Sequence, residues 1–224
     1  MKTLFEGTVV DVVPIENGLV FAYISSKDST TVDVSYKTVT FTDGKITLAL
    51  RSRYTLSKFG SNDKHFLCHI KNHVTSRCLA LSSGKHFILE RDGEGKLIDI
   101  DGECVWSGEL AYRGNAPSGI AVSNRSIWTC FKEASVLTRM NLLTMKEELR
   151  IGGGTTSPFD KPVDLFVDDN DIYVCNSGNH SIVKVSLNTY AAEIYRQFDC
   201  PVYRFIKNDG YEFAVLDTGI YLLD

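Results

Sequence analysis

Residues 65–78, HFLCHIKNHVTSRC, bring His65, Cys68, His69, His73 and Cys78 close together, a set that could hold zinc. Structural zinc takes paired ligands such as C-x2-C with H-x3–5-H. Here Cys68 and His69 are adjacent, and in a strand adjacent side chains point to opposite faces. The spacing is therefore read as a strand with a buried Cys68. A second candidate is IGGGTTSPFDKP at 151–162, which has the glycines of a phosphate-cradling loop. It lacks the Lys-Ser or Lys-Thr pair, the G-x-G-x-x-G spacing and a following helix. Pro162 instead leads into VDLFVDD, whose alternation is that of a strand. No G-x-S-x-G nucleophile motif occurs, and SSGKH at 82–86 reads as a hairpin turn. DGEGK at 92–96 and DGE at 101–103 are also read as turns, because the calcium-loop spacing of acidic residues is missing. The motifs thus point to no catalytic residue, no metal and no cofactor, and the enzyme question leans to no.

The elements that would position any site come from composition and repeats. At 224 residues, 43% hydrophobic and 23% charged, the chain fits one globular domain over 1–224. A net charge of −4 argues against a nucleic-acid or anionic-membrane partner. Neither a signal peptide nor a long apolar span is visible, and six cysteines lie scattered through strand-like segments. The expectation is reduced thiols and a cytoplasmic protein.

PSGIAVSNRSIWTCFKEASVLTRMNLLT from Pro117 aligns without a gap to PVDLFVDDNDIYVCNSGNHSIVKVSLNT from Pro162. Ile120 falls on Leu165, Trp128 on Tyr173 and Cys130 on Cys175. A further copy begins at Pro201, and fainter copies begin near Val9 and Cys78. Asp11 of the first copy falls on Asp164. Each unit reads strand, turn, strand, turn, strand, with Asn, Asp, Ser and Gly at the turns. Units of about 40–45 residues made of antiparallel strands are those of a β-propeller.

The expected fold is all-β, a propeller most simply of five blades, with six as the alternative. The last unit supplies three strands and needs an outer one, and KTLFEGTV at the N-terminus is an apolar-alternating run without a blade of its own. Pairing the two would close the ring and remove an open edge. The interval from about Val39 to Lys71 is read as an extra hairpin on the first blade. A rival α/β reading makes helices of LLTMKEELR and NTYAAEIYRQ, which occupy the outer-strand phase of the repeat.

FDKPVDLFVDDNDIYVCNSGNHSIVKVSL resembles an NHL-type repeat: Pro before the first strand, an apolar pair, a turn, an aromatic-apolar second strand, then Asn, Ser and Gly before the third. The resemblance is good over about 117–224 and faint before. It implies a propeller scaffold rather than one activity, and it makes RIGGG a linker between blades.

In such a blade the loop leading into the first strand and the turn between the second and third lie at one end. Asp11, Asp164, Tyr203 and Arg204 belong to the first group, and Asn176, His180 and Asp217 to the second, so all seven are binding-face candidates. The principal expectation is a non-catalytic scaffold that takes a protein or peptide at one mouth of the channel, with a small-molecule ligand also compatible. The alternative is a metal-dependent hydrolase like the lactonase propellers, with Asp11, Asp164, Asn176 and Asp217 as ligands. The third is an RNA-binding propeller. For the scaffold, replacing Asp164 or Asp217 by Ala should spare stability.

Overall fold

The computed structural model describes all residues except 28–30, 43–44, 58–76, 82, 91–92, 124 and 169. Every regular element among the described residues is a strand, and the strands form five four-stranded antiparallel sheets. One joins β2 (Val9–Ile15), β3 (Gly18–Lys27), β4 (Thr31–Thr42) and β5 (Lys45–Ser57). The next joins β6 (Arg77–Ala80), β7 (His86–Leu89), β8 (Glu94–Ile98) and β9 (Cys104–Glu109). The repeat pair forms β10 (Gly119–Ser123), β11 (Ser126–Phe131), β12 (Val136–Asn141) and β13 (Glu147–Gly152), then β14 (Pro162–Val167), β15 (Asp171–Asn176), β16 (Ser181–Ser186) and β17 (Ala192–Gln197). The fifth runs β18 (Val202–Asn208), β19 (Tyr211–Leu216), β20 (Gly219–Leu223) and then β1 (Lys2–Glu6). There are thus five blades rather than six, and the N-terminal strand completes the last one as expected.

Strand position within a blade accounts for the residue types. The second strands β11 (SIWTCF) and β15 (DIYVCN) are covered on both faces, so both read as nearly continuous apolar runs. Trp128 and Tyr173, and Cys130 and Cys175, are buried at matching places. The outer strands β13 and β17 are largely exposed. They take in the second part of each segment with mixed helical propensity, Glu147–Arg150 and Ala192–Gln197, where cross-strand pairing with β12 and β16 overrides that propensity. The rival helices are therefore a turn followed by a strand. The interval after Val39 is also corrected in its described part. Up to Ser57 it is no separate hairpin but a lengthened β4–β5 pair of 12 and 13 residues; the rest, from 58 to 76, lies outside the described residues.

Two compact units are distinguished, Met1–Thr75 with Ile206–Asp224, and Ser76–Phe205. The core of the first gathers Val12, Leu19, Phe21, Val39, Phe213 and Ile220. In the second, Trp128, Leu137, Phe159, Leu165, Ile172 and Val174 pack together, and Phe87, Leu97, Ile120 and Ile127 form a neighbouring group.

The hairpin turns read from the sequence are present. Leu81 N–H donates to the Lys85 carbonyl, Glu90 N–H to Glu94 and Asp99 N–H to Glu103, with Gly84, Gly93 and Gly102 all at positive φ. On the β7–β8 hairpin, Lys96 Nζ lies 2.6 Å from Glu90 Oε1 and 3.6 Å from Glu94 Oε2. The hydrogen bond to Glu90, with the charges of both carboxylates, raises the Lys96 pKa above the ordinary lysine value. A lysine raised by folding contributes fully below its unfolded pKa and loses the contribution as pH rises through the folded one. Glu90→Gln should therefore lower the alkaline titration midpoint of Lys96, followed by NMR, and leave the melting temperature at neutral pH unchanged.

Cys104 is an exposed thiol, Cys200 is half-buried, and Cys130 and Cys175 are buried thiols. Among these four, a thiol reagent is expected to modify Cys104 first and Cys200 more slowly, and to reach Cys130 and Cys175 only on unfolding. Mass spectrometry of the labelled peptides reads the order, and early labelling of Cys130 or Cys175 would contradict the packing.

Candidate functional site

In Ser76–Phe205, β14 begins at Pro162, directly opposite Asn176 at the end of β15, and Asn176 in turn faces Ser181 at the start of β16. The loop leading into the first strand and the turn between the second and third therefore share one end of the blade. An irregularity in the pairing between Pro162 and Asp164 re-aims the Asp164 side chain. That carboxylate is 3% exposed, and Oδ2 accepts a hydrogen bond of 2.8 Å from Arg204 Nε. Arg204 is partly exposed, at 17% of its side chain, so the pair has one buried and one half-open partner.

The neighbouring first strand comes very close. A Cβ on Gly119 would stand 2.6 Å from Asp164 Cα and 2.9 Å from Cys130 Sγ, so no side chain fits where β10 meets β14. Ser118 Oγ lies 2.7 Å from the Pro162 carbonyl oxygen and 3.0 Å from that of Cys130, tying the two blades together. In the turn after β15, Ser177 N–H and Gly178 N–H donate to the carbonyls of Lys161 and Asp160, and Ser181 Oγ donates to Asn179 Oδ1 at 2.7 Å. Asn176, fully buried, donates from Nδ2 to the Pro158 carbonyl at 3.1 Å, and its Oδ1 is buried with no hydrogen-bond partner among the described residues. His180 adopts φ 56° and its carbonyl accepts from Phe198 N–H at 2.9 Å, leaving a half-buried imidazole. Tyr203 is likewise half-buried.

The glycine stretch is a linker, as expected. Gly153 N–H donates to the Ser135 carbonyl, Ser157 Oγ donates to the same oxygen at 2.8 Å, and Phe159 enters the core. The Gly153 amide is thereby taken up by the chain itself.

In the other unit, β2 repeats the irregularity of β14, here between Val9 and Asp11, so Asp11 holds the place of Asp164. Its Oδ1 accepts from Val12 N–H at 2.9 Å. Asp217 is exposed in the turn between β19 and β20. Of the four residues of the metal alternative, Asp164 and Asn176 lie in one unit and Asp11 and Asp217 in the other. No group of three or more His, Cys, Asp or Glu placed to hold a metal occurs among the described residues. His65, Cys68, His69 and His73 lie outside the described residues.

Sequence reasoning placed Asp164 and Arg204 in one candidate set without pairing them, and it missed Ser118 and Gly119. The signals were in the repeat. Arg204 stands three residues after Pro201 as Leu165 stands three after Pro162, so a charge occupies an apolar phase. Gly119 stands where Asp164 does, a missing side chain beside a buried one.

This architecture is that of a five-bladed β-propeller. The family model for the NHL repeat matches residues 159–185, within the blade that carries Asp164 and Asn176, and the protein is an NHL-like β-propeller. No curated protein matches it in sequence. Among solved structures it is similar to streptogramin B lyase, with 12% identity, TM-score 0.53, and coverage of 98% of this chain and 69% of that one. Sqt1 of Saccharomyces cerevisiae is similar at 10% identity and TM-score 0.52, covering 96% of this chain and 72% of that one. Hydrazine synthase of Kuenenia stuttgartiensis gives 17% identity and TM-score 0.54 over 66% of this chain, which spans only 45% of that chain. At these identities the likeness is one of fold. Such a fold serves as a binding scaffold or as a propeller enzyme. No helix among the described residues is long and apolar enough to cross a membrane.

Proposed function

We propose that residues 1–224 act as one non-catalytic scaffold that recognises a protein or peptide partner at one mouth of the propeller channel, in a reducing compartment such as the cytoplasm. The observation that carries this reading is the Asp164–Arg204 pair. The buried carboxylate at the candidate end is engaged by a guanidinium at 2.8 Å, which neutralises it and fixes the half-open Arg204 side chain. Around it Ser118, Ser177 and Asn176 spend hydrogen bonds on backbone carbonyls, so the frame is rigid, while His180 and Tyr203 stay accessible. Ordered polar and aromatic groups on a stiff frame suit recognition, because little side-chain entropy is lost on binding.

The test is selection of a displayed random-peptide library on the whole protein, followed by affinity measurement on variants. Tyr203→Ala and His180→Ala should each weaken a selected peptide about tenfold, the scale of a lost contact of about 1.4 kcal/mol, with an unchanged melting temperature. Peptides indifferent to both substitutions would remove this face from the function. A calcium- or manganese-dependent rise in melting temperature that Asp217→Ala abolishes would replace the scaffold by the metal-dependent hydrolase.

A further inference from the structure

Between β9 and β10 the chain passes from one blade to the next through a tight turn. Tyr112 and Asn115 exchange backbone hydrogen bonds of 3.0 and 3.1 Å around Arg113 and Gly114, whose φ values are 51° and 76°. Two left-handed central residues define a two-residue hairpin turn. Asn115 Nδ2 also donates to the carbonyls of Tyr112 and Arg113, at 3.4 and 3.3 Å, which braces the tip. Arg113 takes a place where Gly, Asn or Asp is less strained, and an arginine held there points to a use for its guanidinium.

The turn lies at the end of its blade that corresponds to the candidate end of the β14–β17 blade. Tyr112 is buried against Phe131, Ala134 and Val136 at the turn between β11 and β12, and Gly152 at the end of β13 pairs with Val136. Two guanidiniums rest on the Tyr112 ring. Arg113 Cζ is 5.3 Å from its centroid and Arg150 Cζ, reaching in from β13, is 4.6 Å from it. The two positive charges are therefore within one Debye length of each other, about 10 Å at 0.1 M salt, and repel. Both side chains are exposed. Arg150 Nη2 lies 2.6 Å from Glu147 Oε1, whereas Arg113 meets the ring and no carboxylate among the described residues. One carboxylate thus serves two guanidiniums, and Lys132 and Glu133 in the adjoining turn offset each other.

We propose that Arg113 and Arg150, stacked on Tyr112, anchor an acidic pair, Asp or Glu at positions i and i+2, in an extended segment of the peptide partner. Alternate side chains of an extended chain project from one face about 7 Å apart, so two carboxylates reach two charges on one ring. Each guanidinium offers a fork of N–H donors that matches a carboxylate. Stacking restricts the arginines in advance, so little side-chain entropy is lost on binding. The proposal rests on the reading of this end as a peptide-binding face and adds the partner's charge to it.

The test uses the whole protein and synthetic peptides of about eight residues, the length of a strand, titrated at low salt and followed by NMR. The first is centred on Glu-Val-Glu, the second on Gln-Val-Gln and the third on Lys-Val-Lys. The first should shift the Nε–H signals of Arg113 and Arg150, and the other two should bind at least about threefold more weakly. Arg113→Gln and Arg150→Gln should each weaken the first peptide about threefold and leave the melting temperature unchanged. Glu147→Gln, which releases Arg150 from its partner, should strengthen it about twofold, a gain that a purely structural role for the arginines would not give. Equal binding of the Glu and Gln peptides would overturn the proposal, as would a Glu peptide indifferent to both arginine substitutions. Library-selected peptides that need Tyr203 and His180 but carry no acidic residue would also overturn it, and would leave the channel-mouth reading standing. Oligouridine that shifts both arginine signals where the Glu peptide does not would make the pair a nucleic-acid contact instead.

Discussion

Removing Met1–Gly7 should cost about 4 kcal/mol, a large share of the roughly 5–15 kcal/mol that holds a domain of this size folded. The strand β1 is bonded to β20 from Lys2–Leu222 to Glu6–Gly219, and the amino group of Met1 pairs with the Asp224 carboxylate. Phe5 contributes most. Its ring sits 4.9 Å from Phe21 and 4.7 Å from Tyr23, with Lys37 Nζ 5.1 Å above it. Phe5→Ala alone is expected to cost about 2 kcal/mol, less than the about 3–5 of a fully buried ring because Phe5 is only half-buried. The rest comes from ladder hydrogen bonds worth about 1 kcal/mol each. Gly219 makes the close approach feasible: its φ is 151°, and a Cβ there would overlap the Phe5 carbonyl oxygen at 1.9 Å. Urea denaturation measures the loss, and a synthetic peptide of residues 1–8 supplied in trans should restore part of it. A truncated chain with the unfolding midpoint of the intact one would show that β1 does not secure the last blade.

Asp164→Ala should cost about 3 kcal/mol, because it takes the carboxylate away from a guanidinium that folding has drawn mostly out of water. This replaces the expectation that the substitution spares stability; a carboxylate 3% exposed is part of the interior. Asp164→Asn keeps an acceptor for Arg204 Nε and should cost about half as much. Adding Arg204→Met to Asp164→Ala should recover at least about 1 kcal/mol, since the stranded cation is then gone. Asp217, exposed in its turn, gives the contrast, with Asp217→Ala expected within about 0.5 kcal/mol of the parent. The double-mutant cycle reads the coupling directly, and strict additivity would mean the two groups do not depend on each other.

The blades from Pro117 onward were legible because each must bury the same positions. Ile120 and Leu165, Trp128 and Tyr173, Cys130 and Cys175 are interchangeable only if their strands have the same neighbours, and burial bears this out. The lone three-strand repeat at the end, beside an unassigned apolar run at the start, was enough to pair β1 with β20. Turn chemistry is local, so the hairpins at Gly84, Gly93 and Gly102 and the linker at Gly153 could be read from a few residues.

What stayed illegible depends on partners distant in the chain. Alternation in 31–57 is the same for an extra hairpin and for two long strands, and only the register of β4 on β5 distinguishes them. Asp164 and Arg204 are 40 residues apart, and their pairing follows from the placing of two first strands, which no local pattern encodes. The same holds for Gly119, whose missing side chain matters because Asp164 Cα lies where a Cβ would be. Periodicity and turn residues act over a few positions and specify elements; a buried charge pair or a close backbone approach arises only when those elements meet.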